Sequence, residues 1–300
     1  MSEISTYKHP AQKGTPYTKM LPKGSALVLE GGGVRGFYSA GVFEAFMDEG
    51  LMFPYIIGVS AGTANALTYL AGQKKRNRFI VENYIGDSRY ISYRNFLKHG
   101  SFFGYDFIFK TIPDEYVFWD RELAAQNEAR FLTGVTNCET GKAMWYEKQD
   151  VLNDISVTIA SCSVPFAAKI VNYKGLKLMD GGIASPIPID KSAKDGNTFH
   201  VIVLTRNKGY IKEPAKAKRL INMVYGKYPA FAQALLNRHE IYTAQLKMCE
   251  ELEAEGKAVI IRPIIPLSVS RNCNDAGKLL TLYDEGHNEG LEAIKKISMI

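Results

Sequence analysis

The chain is short of the features that would place it by themselves. No uninterrupted apolar stretch approaches the ~20 residues that a bilayer-spanning helix needs, so any membrane contact is expected to be peripheral. The opening residues, MSEISTYKHP, carry no apolar run of the secretory type, and the four cysteines (Cys138, Cys162, Cys249, Cys273) show no C-x-x-C spacing. Reduced thiols in a cytoplasmic setting are the plain expectation. There is no internal repeat and no low-complexity tract. The mild net charge of +6 comes without any recognised nucleic-acid-binding motif, so nucleic acid is not expected as a partner.

What is present is enough apolar material for one large domain with an appendage: 46% hydrophobic residues in a chain of 300. Basic residues cluster at Lys74, Lys75, Arg76 and Arg78 and again at Lys216, Lys218 and Arg219. Solvated loops account for such clusters. The sharper alternative is attraction to anionic phospholipid head groups, at ~1 kcal/mol per basic residue near the surface.

The stretch from Ala26 to Gly72 organises the rest. Each half runs from an apolar segment of strand length through a glycine-rich turn into apolar residues at helical spacing, which is a βαβα unit. In the first half Ala26 to Leu29 is the strand, and Gly31, Gly32, Gly33 and Gly36 form the turn. Tyr38, Val42, Ala45 and Phe46 then mark one helix face. Successive glycines let several N–H groups converge beside a helix N-terminus, a place for an anion or a developing negative charge. In the second half Tyr55 to Val59 is the strand, and Gly58-Val59-Ser60-Ala61-Gly62 is a G-x-S-x-G set between strand and helix, the context in which that motif presents a nucleophile. A G-x-G-x-x-G turn also opens dinucleotide-binding folds, but that reading wants an acidic residue after the second strand. Here the strand runs into Gly58 and Ser60, and Asp48 and Glu49 precede it.

Residues 1–24 read as a flexible N-terminal arm, 25–212 as the catalytic domain and 213–300 as a mixed, mainly helical extension. Within the domain, 84–119 is an aromatic-rich insertion, either a satellite core on the sheet or a wall of an apolar substrate channel that could act as a lid. From Arg130 strands dominate: Phe131 to Asn137 and Lys142 to Tyr146 flank a hairpin signal, and Ile170 to Tyr173 pairs with Lys177 to Met179. Val151 to Ser163 reads as one helix ended by Pro165, and Thr198 to Thr205 as a buried strand. Such apolar strands alternating with helices argue for an α/β fold with a mainly parallel sheet covered on both faces. Beyond Arg206, Tyr228 to Cys249 keeps a three- and four-residue apolar spacing, one stripe of a long helix starting near Pro229. Val259 to Arg262 and Leu279 to Ile297 read as a strand and a closing helix.

A serine hydroxyl needs a base to take its proton. Of the five histidines, His9 lies in the arm and His99 in the aromatic insertion. His200 is inside a strand, His239 on an apolar helix stripe and His287 near the end. None carries a turn signal that would present it at the sheet edge. Asp180 does: it ends a strand, and Gly181 and Gly182 let the chain turn behind it.

Taken together, Gly31-Gly32-Gly33-Val34-Arg35-Gly36, Gly58-Val59-Ser60-Ala61-Gly62 and Asp180-Gly181-Gly182 resemble, in order and spacing, the patatin-like phospholipase family. The likeness extends over about Ala26 to Arg206, including Ala160-Ser161-Cys162-Ser163-Val164-Pro165 and Pro186-Ile187-Pro188, and the C-terminal part looks like the extension of a bacterial subgroup. The resemblance implies a three-layer α/β/α fold and a serine acyl hydrolase that cleaves lipid esters with a Ser60/Asp180 dyad, without histidine, metal or cofactor. It implies that amides around Gly31, Gly32 and Gly33 hold the oxyanion, with Arg35 anchoring the loop or adding positive charge, and that Gly36, Gly58, Gly62, Gly181 and Gly182 support the motifs. Glu30 departs from the aspartate of plant patatins, at a position suited to supporting the loop. Two rivals stand beside this expectation: a non-catalytic lipid-binding module on the same fold, and a serine-histidine enzyme using His200 or His287.

Overall fold

The computed structural model describes residues 13–264 and 269–297. Ten strands are present among them: β1 (Lys19–Met20), β2 (Ser25–Leu29), β3 (Leu51–Met52), β4 (Tyr55–Val59), β5 (Arg130–Asn137), β6 (Ala143–Glu147), β7 (Val171–Tyr173), β8 (Leu176–Asp180), β9 (Phe199–Val203) and β10 (Ala258–Ile261). The α-helices are α1 (Phe37–Asp48), α2 (Ala61–Leu70), α3 (Arg76–Tyr84), α4 (Tyr93–His99), α5 (Arg121–Gln126), α6 (Lys148–Asn153), α7 (Ser156–Cys162), α8 (Ile189–Lys194), α9 (Lys218–Val224), α10 (Pro229–Ala254) and α11 (Ala276–Ile297).

Eight strands form one sheet in the order β10-β9-β2-β4-β5-β8-β7, with β6 also on β5. The five from β10 to β5 are parallel, whereas β6, β7 and β8 run against their neighbours. Alternation along the buried strands divides the core. Leu27, Leu29, Ile56, Phe131, Val201 and Val203 face the side covered by α1, α2 and α11. Ala26, Val28, Ile57, Leu132 and Ile202 face the side where Ile189 of α8 and Tyr242 and Cys249 of α10 pack. This is a three-layer α/β/α arrangement with a helical C-terminal region, as expected from the sequence.

The C-terminal segment is built into that core: β10 extends the sheet beside β9, and α11 lies against α1. Glycines bring the two helices close. A Cβ on Gly41 would fall 1.9 Å from the Tyr283 carbonyl oxygen, and one on Gly286 would fall 2.0 Å from that of Tyr38.

Two local expectations are corrected, and the two readings of the aromatic segment are sorted by residue. The N-terminal arm is tied down from residue 15: the Thr15 N–H donates to the Gly72 carbonyl at 3.0 Å, and β1 pairs with β3. Residues 1–12 of the expected arm, including His9, lie outside the described residues. The single helix expected over 151–163 is two, because Asp154 adopts an extended conformation and its Oδ1 accepts the Ser156 N–H at 2.9 Å, starting a new helix. The aromatic segment divides its work. Tyr84, Phe107 and Tyr116 join the main core, where Tyr84 and Tyr116 stack at 5.5 Å, and Tyr90, Phe103, Tyr105, Phe109 and Trp119 line a cavity.

Candidate active site

Ser60 takes its place from β4, whose five residues are all buried and pass without a loop into α2. The bend falls on Ser60 itself, at φ 53° and ψ −130°. A side-chain-bearing residue held there stores of order 1–3 kcal/mol of strain. Small neighbours permit it: a Cβ on Gly62 would sit 2.7 Å from the Glu30 carbonyl oxygen, and one on Gly58 would sit 3.0 Å from the Thr63 nitrogen. The buried Ser60 N–H donates to Ser161 Oγ at 2.8 Å, and that hydroxyl donates to the Gly134 carbonyl at 2.6 Å, so α7 clamps the bend to β5.

Asp180 reaches the same point from the opposite direction. Over Leu132–Thr136 one edge of β5 is taken by β6, so β4 and β8 share the other edge, with Val59 opposite Gly134 and Asp180 opposite Val135. The two strands meet nearly end to end. Ser60 Oγ donates to Asp180 Oδ2 at 2.9 Å, and the Gly182 N–H donates to Oδ1 at 2.7 Å. Burial holds the Asp180 carboxyl above its ordinary range, against the opposing pull of the Gly182 amide, of Arg238 and of the Ser60 hydroxyl. Gly181 fits only as glycine, since its Cβ would lie 2.1 Å from the Gly134 oxygen.

The glycine loop closes the third side. Gly33 adopts φ +60°, and Gly31 presses on the serine, with a Cβ there only 2.9 Å from Ser60 Cβ. Gly36 abuts Ala61 at the start of α2. Glu30 holds the loop rather than facing the dyad: its Oε2 accepts the Thr205 N–H at 2.6 Å, tying the end of β2 to the chain beyond β9, and burial raises its carboxyl. The Val34 N–H donates to the Arg271 carbonyl at 3.1 Å. Arg35 is buried, and its Nε has no hydrogen-bond partner among the described residues.

Neither histidine of the expected rival lies at the site. His200 sits low in β9, opposite Ala26 in the register, at the end of the sheet remote from Ser60; its Nδ1 lies 3.2 Å from Ser192 Oγ. His287 faces Asp48 at 2.9 Å on the α1/α11 layer. His239, expected as a core residue of the α10 stripe, is half-buried and lines a cavity near the dyad, its Nδ1 against the Leu236 carbonyl at 3.0 Å.

Two cavities open on Ser60. One of about 120 Å³ is apolar, walled by Phe37, Ile80, Tyr105, Phe109, Ile112 and Trp119. The other, of about 570 Å³, is basic, with Arg35, Arg206, Lys212, Arg238 and Arg271 around it. The α10 residue Arg238 also reaches the dyad's own turn, its Nε donating to the Gly182 carbonyl. Sequence reasoning gathered Ser60, Asp180 and the glycines but missed Ser161, Arg206, Arg238 and Arg271. Of these only Ser161 stood inside a stretch singled out beforehand.

Residues 228–300 match a family described as a domain of unknown function (DUF6363). The chain is 25% identical over 209 residues to the uncharacterized protein YjjU of Escherichia coli (strain K12), an alignment covering 65% of this chain and 56% of that one; the chain thus spans little more than half of that curated relative's length. Among solved structures, VipD from Legionella pneumophila aligns with a TM-score of 0.45 at 11% identity, covering 91% of this chain and 67% of that one. Residues 27–192 match the family described as patatin-like phospholipase, and on that match the chain belongs to the patatin-like phospholipases.

Proposed function

We propose that this chain is a serine acyl hydrolase that cleaves carboxylic esters of lipids through Ser60 and Asp180. The observation that carries the reading is the 2.9 Å hydrogen bond from Ser60 Oγ to Asp180 Oδ2. Ser60 Oγ attacks the ester carbonyl as its proton passes to Asp180, giving a tetrahedral intermediate whose oxyanion rests against the Gly31–Gly33 amides. Collapse breaks the carbon–oxygen bond to the alcohol, which leaves with the proton from Asp180. Asp180 then takes a proton from water, and the resulting attack on the acyl-enzyme frees the fatty acid and restores Ser60. No step uses a metal or cofactor. A carboxylate raised by burial is a better base than one in water, and the strained serine has its hydroxyl aligned before substrate arrives.

The apolar cavity suits the acyl chain. Ile211, Leu220, Met223 and Val224 are exposed beside Lys216, Lys218 and Arg219, and Lys216 lines the basic cavity; this pairing supports work at an anionic membrane surface. Among the described residues no helix is long and apolar enough to cross a membrane.

Turnover of short p-nitrophenyl esters and labelling by a fluorophosphonate test the reading. Both are expected in the native protein and neither in Ser60→Ala; activity that survives in Ser60→Ala removes Ser60 as the nucleophile.

A further inference from the structure

The basic cavity holds more positive charge than the dyad uses. Arg35 comes from the glycine loop, Arg206 and Lys212 from the chain after β9, Arg238 from α10 and Arg271 from the turn before α11. The carboxylates facing them are Glu30, Asp180 and the exposed Glu213. Glu30 is occupied by Thr205, and Asp180 by Ser60 and Gly182. Elsewhere in the protein arginines find carboxylates, as Arg130 does with Glu147 and Asp195 and Arg262 does with Glu250. Among the described residues none of these five cations, nor Lys216 on the same cavity, does so within 4 Å.

Like charges gathered in a partly desolvated bowl repel, and the groups register it. Burial, then Arg206 and Arg271, pushes Arg35 down to about 10; burial, then the four arginines, pushes Lys212 down to about 8. The Arg35 Nε, buried and without an acceptor among the described residues, is an unmet donor at the wall of the same bowl. An anion seated here would satisfy that donor and relieve the repulsion. In a glycerophospholipid the ester and the phosphate hang on the same three-carbon unit, so an ester carbonyl at Ser60 with its chain in the apolar cavity brings the phosphate to the basic one.

We infer that Arg35, Arg206, Lys212, Arg238 and Arg271 form a phosphate subsite that selects lipids with an anionic head group lacking an ammonium. This rests on the acyl-hydrolase reading for the placement of the ester but not for the binding itself. Arginine supplies planar, paired donors that match phosphate oxygens. A choline or ethanolamine ammonium would have to enter among five cations, and a glycerol head group would not.

The test is calorimetric titration of Ser60→Ala, so that no turnover enters the readout, with dihexanoyl phosphatidylglycerol, dihexanoyl phosphatidylcholine and inorganic phosphate, all below any micelle concentration. Phosphatidylglycerol is expected to bind at least about tenfold more tightly than phosphatidylcholine, and more tightly than inorganic phosphate. Adding Arg206→Gln and Arg271→Gln is expected to weaken phosphatidylglycerol by about tenfold or more and erase the preference, whereas Lys110→Gln with Lys142→Gln, an equal loss of charge away from the cavity, leaves it. Arg271→Gln alone, at an exposed position, repeats the test should the double change disturb folding. Equal affinity for the two lipids, inorganic phosphate matching phosphatidylglycerol, or full binding in the arginine variants would each overturn the subsite. Hydrolysis by the native protein is a separate measurement and stands or falls alone.

Discussion

Asp180 takes up on β5 where Val59 leaves off: Val59 is opposite Gly134 and Asp180 is opposite Val135. One strand thus sets the spacing of Ser60 and Asp180, 120 positions apart, and the serine after Val59 lands within 2.9 Å of the carboxylate. Because the backbone fixes the separation, side-chain length should matter as well as charge. Asp180→Asn, which keeps the shape but cannot accept the proton, is expected to lower kcat by ~10² to 10⁴. Asp180→Glu keeps the charge but adds a methylene in a packed site and should also lose most of the rate. Steady-state kinetics on p-nitrophenyl butyrate check both, and near-native turnover in Asp180→Asn would exclude it as the base.

The pH dependence follows from the same carboxylate. Burial raises Asp180, and the proposed reaction needs its ionised form. Activity is therefore absent where the group is protonated and rises as pH climbs through a folded-state value above the usual carboxylate range, ~3.9. The acid limb of kcat/KM should lie above that of an exposed aspartate and should be unmoved in His239→Gln, which removes the imidazole lining the basic cavity. A limb that vanishes with His239 would transfer the base role to histidine.

Ser161 is a positioning residue whose loss should show mainly in kcat. Ser161→Ala leaves the Ser60 N–H and the Gly134 carbonyl buried without the hydroxyl that joins them. The expected cost is ~1–3 kcal/mol in stability, with about a tenfold fall in kcat and little change in KM as the strained bend relaxes. Urea unfolding and the kcat-against-KM split measure the two effects; an unchanged kcat would mean that strand and helix alone hold the bend.

How much of this was legible beforehand depended on range. Gly58 to Gly62, the glycine loop and Asp180-Gly181-Gly182 are local signals, in which a strand, a turn and a helix start follow one another within a few residues, and the structure brings all three together. The eight strands of the main sheet and α10 were legible for the same reason, since apolar period and proline placement act over one or two turns; β1 and β3, two residues each, were too short to show a period. Arg238 was not, because nothing near it in the chain indicates that α10 lies over the Gly182 turn; nor was the convergence of Arg206 and Arg271, which depends on where two loops end. The break at Asp154 was hidden because one extended residue, its carboxylate accepting the Ser156 N–H, interrupts an otherwise continuous apolar pattern.

His200 should make the fold sensitive to mild acid. Burial lowers its pKa from 6.5 to about 4, so the folded protein keeps the ring neutral where the unfolded chain would protonate it. The sign is then fixed: this contribution is fully present above pH 6.5 and is lost as pH falls from there toward about 4, amounting to about 3 kcal/mol. Thermal melts between pH 7.5 and pH 4.5 should show a decline that flattens in His200→Gln, whatever that variant's stability at neutral pH. A slope identical in the two proteins would assign the acid sensitivity to other groups.

Membrane docking should depend on α9 and the loop before it. Ile211 and Met223 are 76% and 74% exposed, a costly way to display large apolar side chains in water unless another phase receives them. Each stands near cations, Lys216, Lys218 and Arg219, that an anionic surface would attract. Ile211→Asp with Met223→Asp reverses both contributions, burying charge where apolar groups would insert and adding negative charge near a negative surface. Sedimentation with vesicles containing phosphatidylglycerol should fall by about tenfold or more, since burying one such side chain contributes about 1.5–3 kcal/mol. Hydrolysis of a water-soluble short ester reports on the dyad independently, because neither residue lines the apolar cavity or the basic one. Unchanged sedimentation would move the docking face elsewhere, with the exposed Tyr93 and Leu97 of α4 as the next surface to alter.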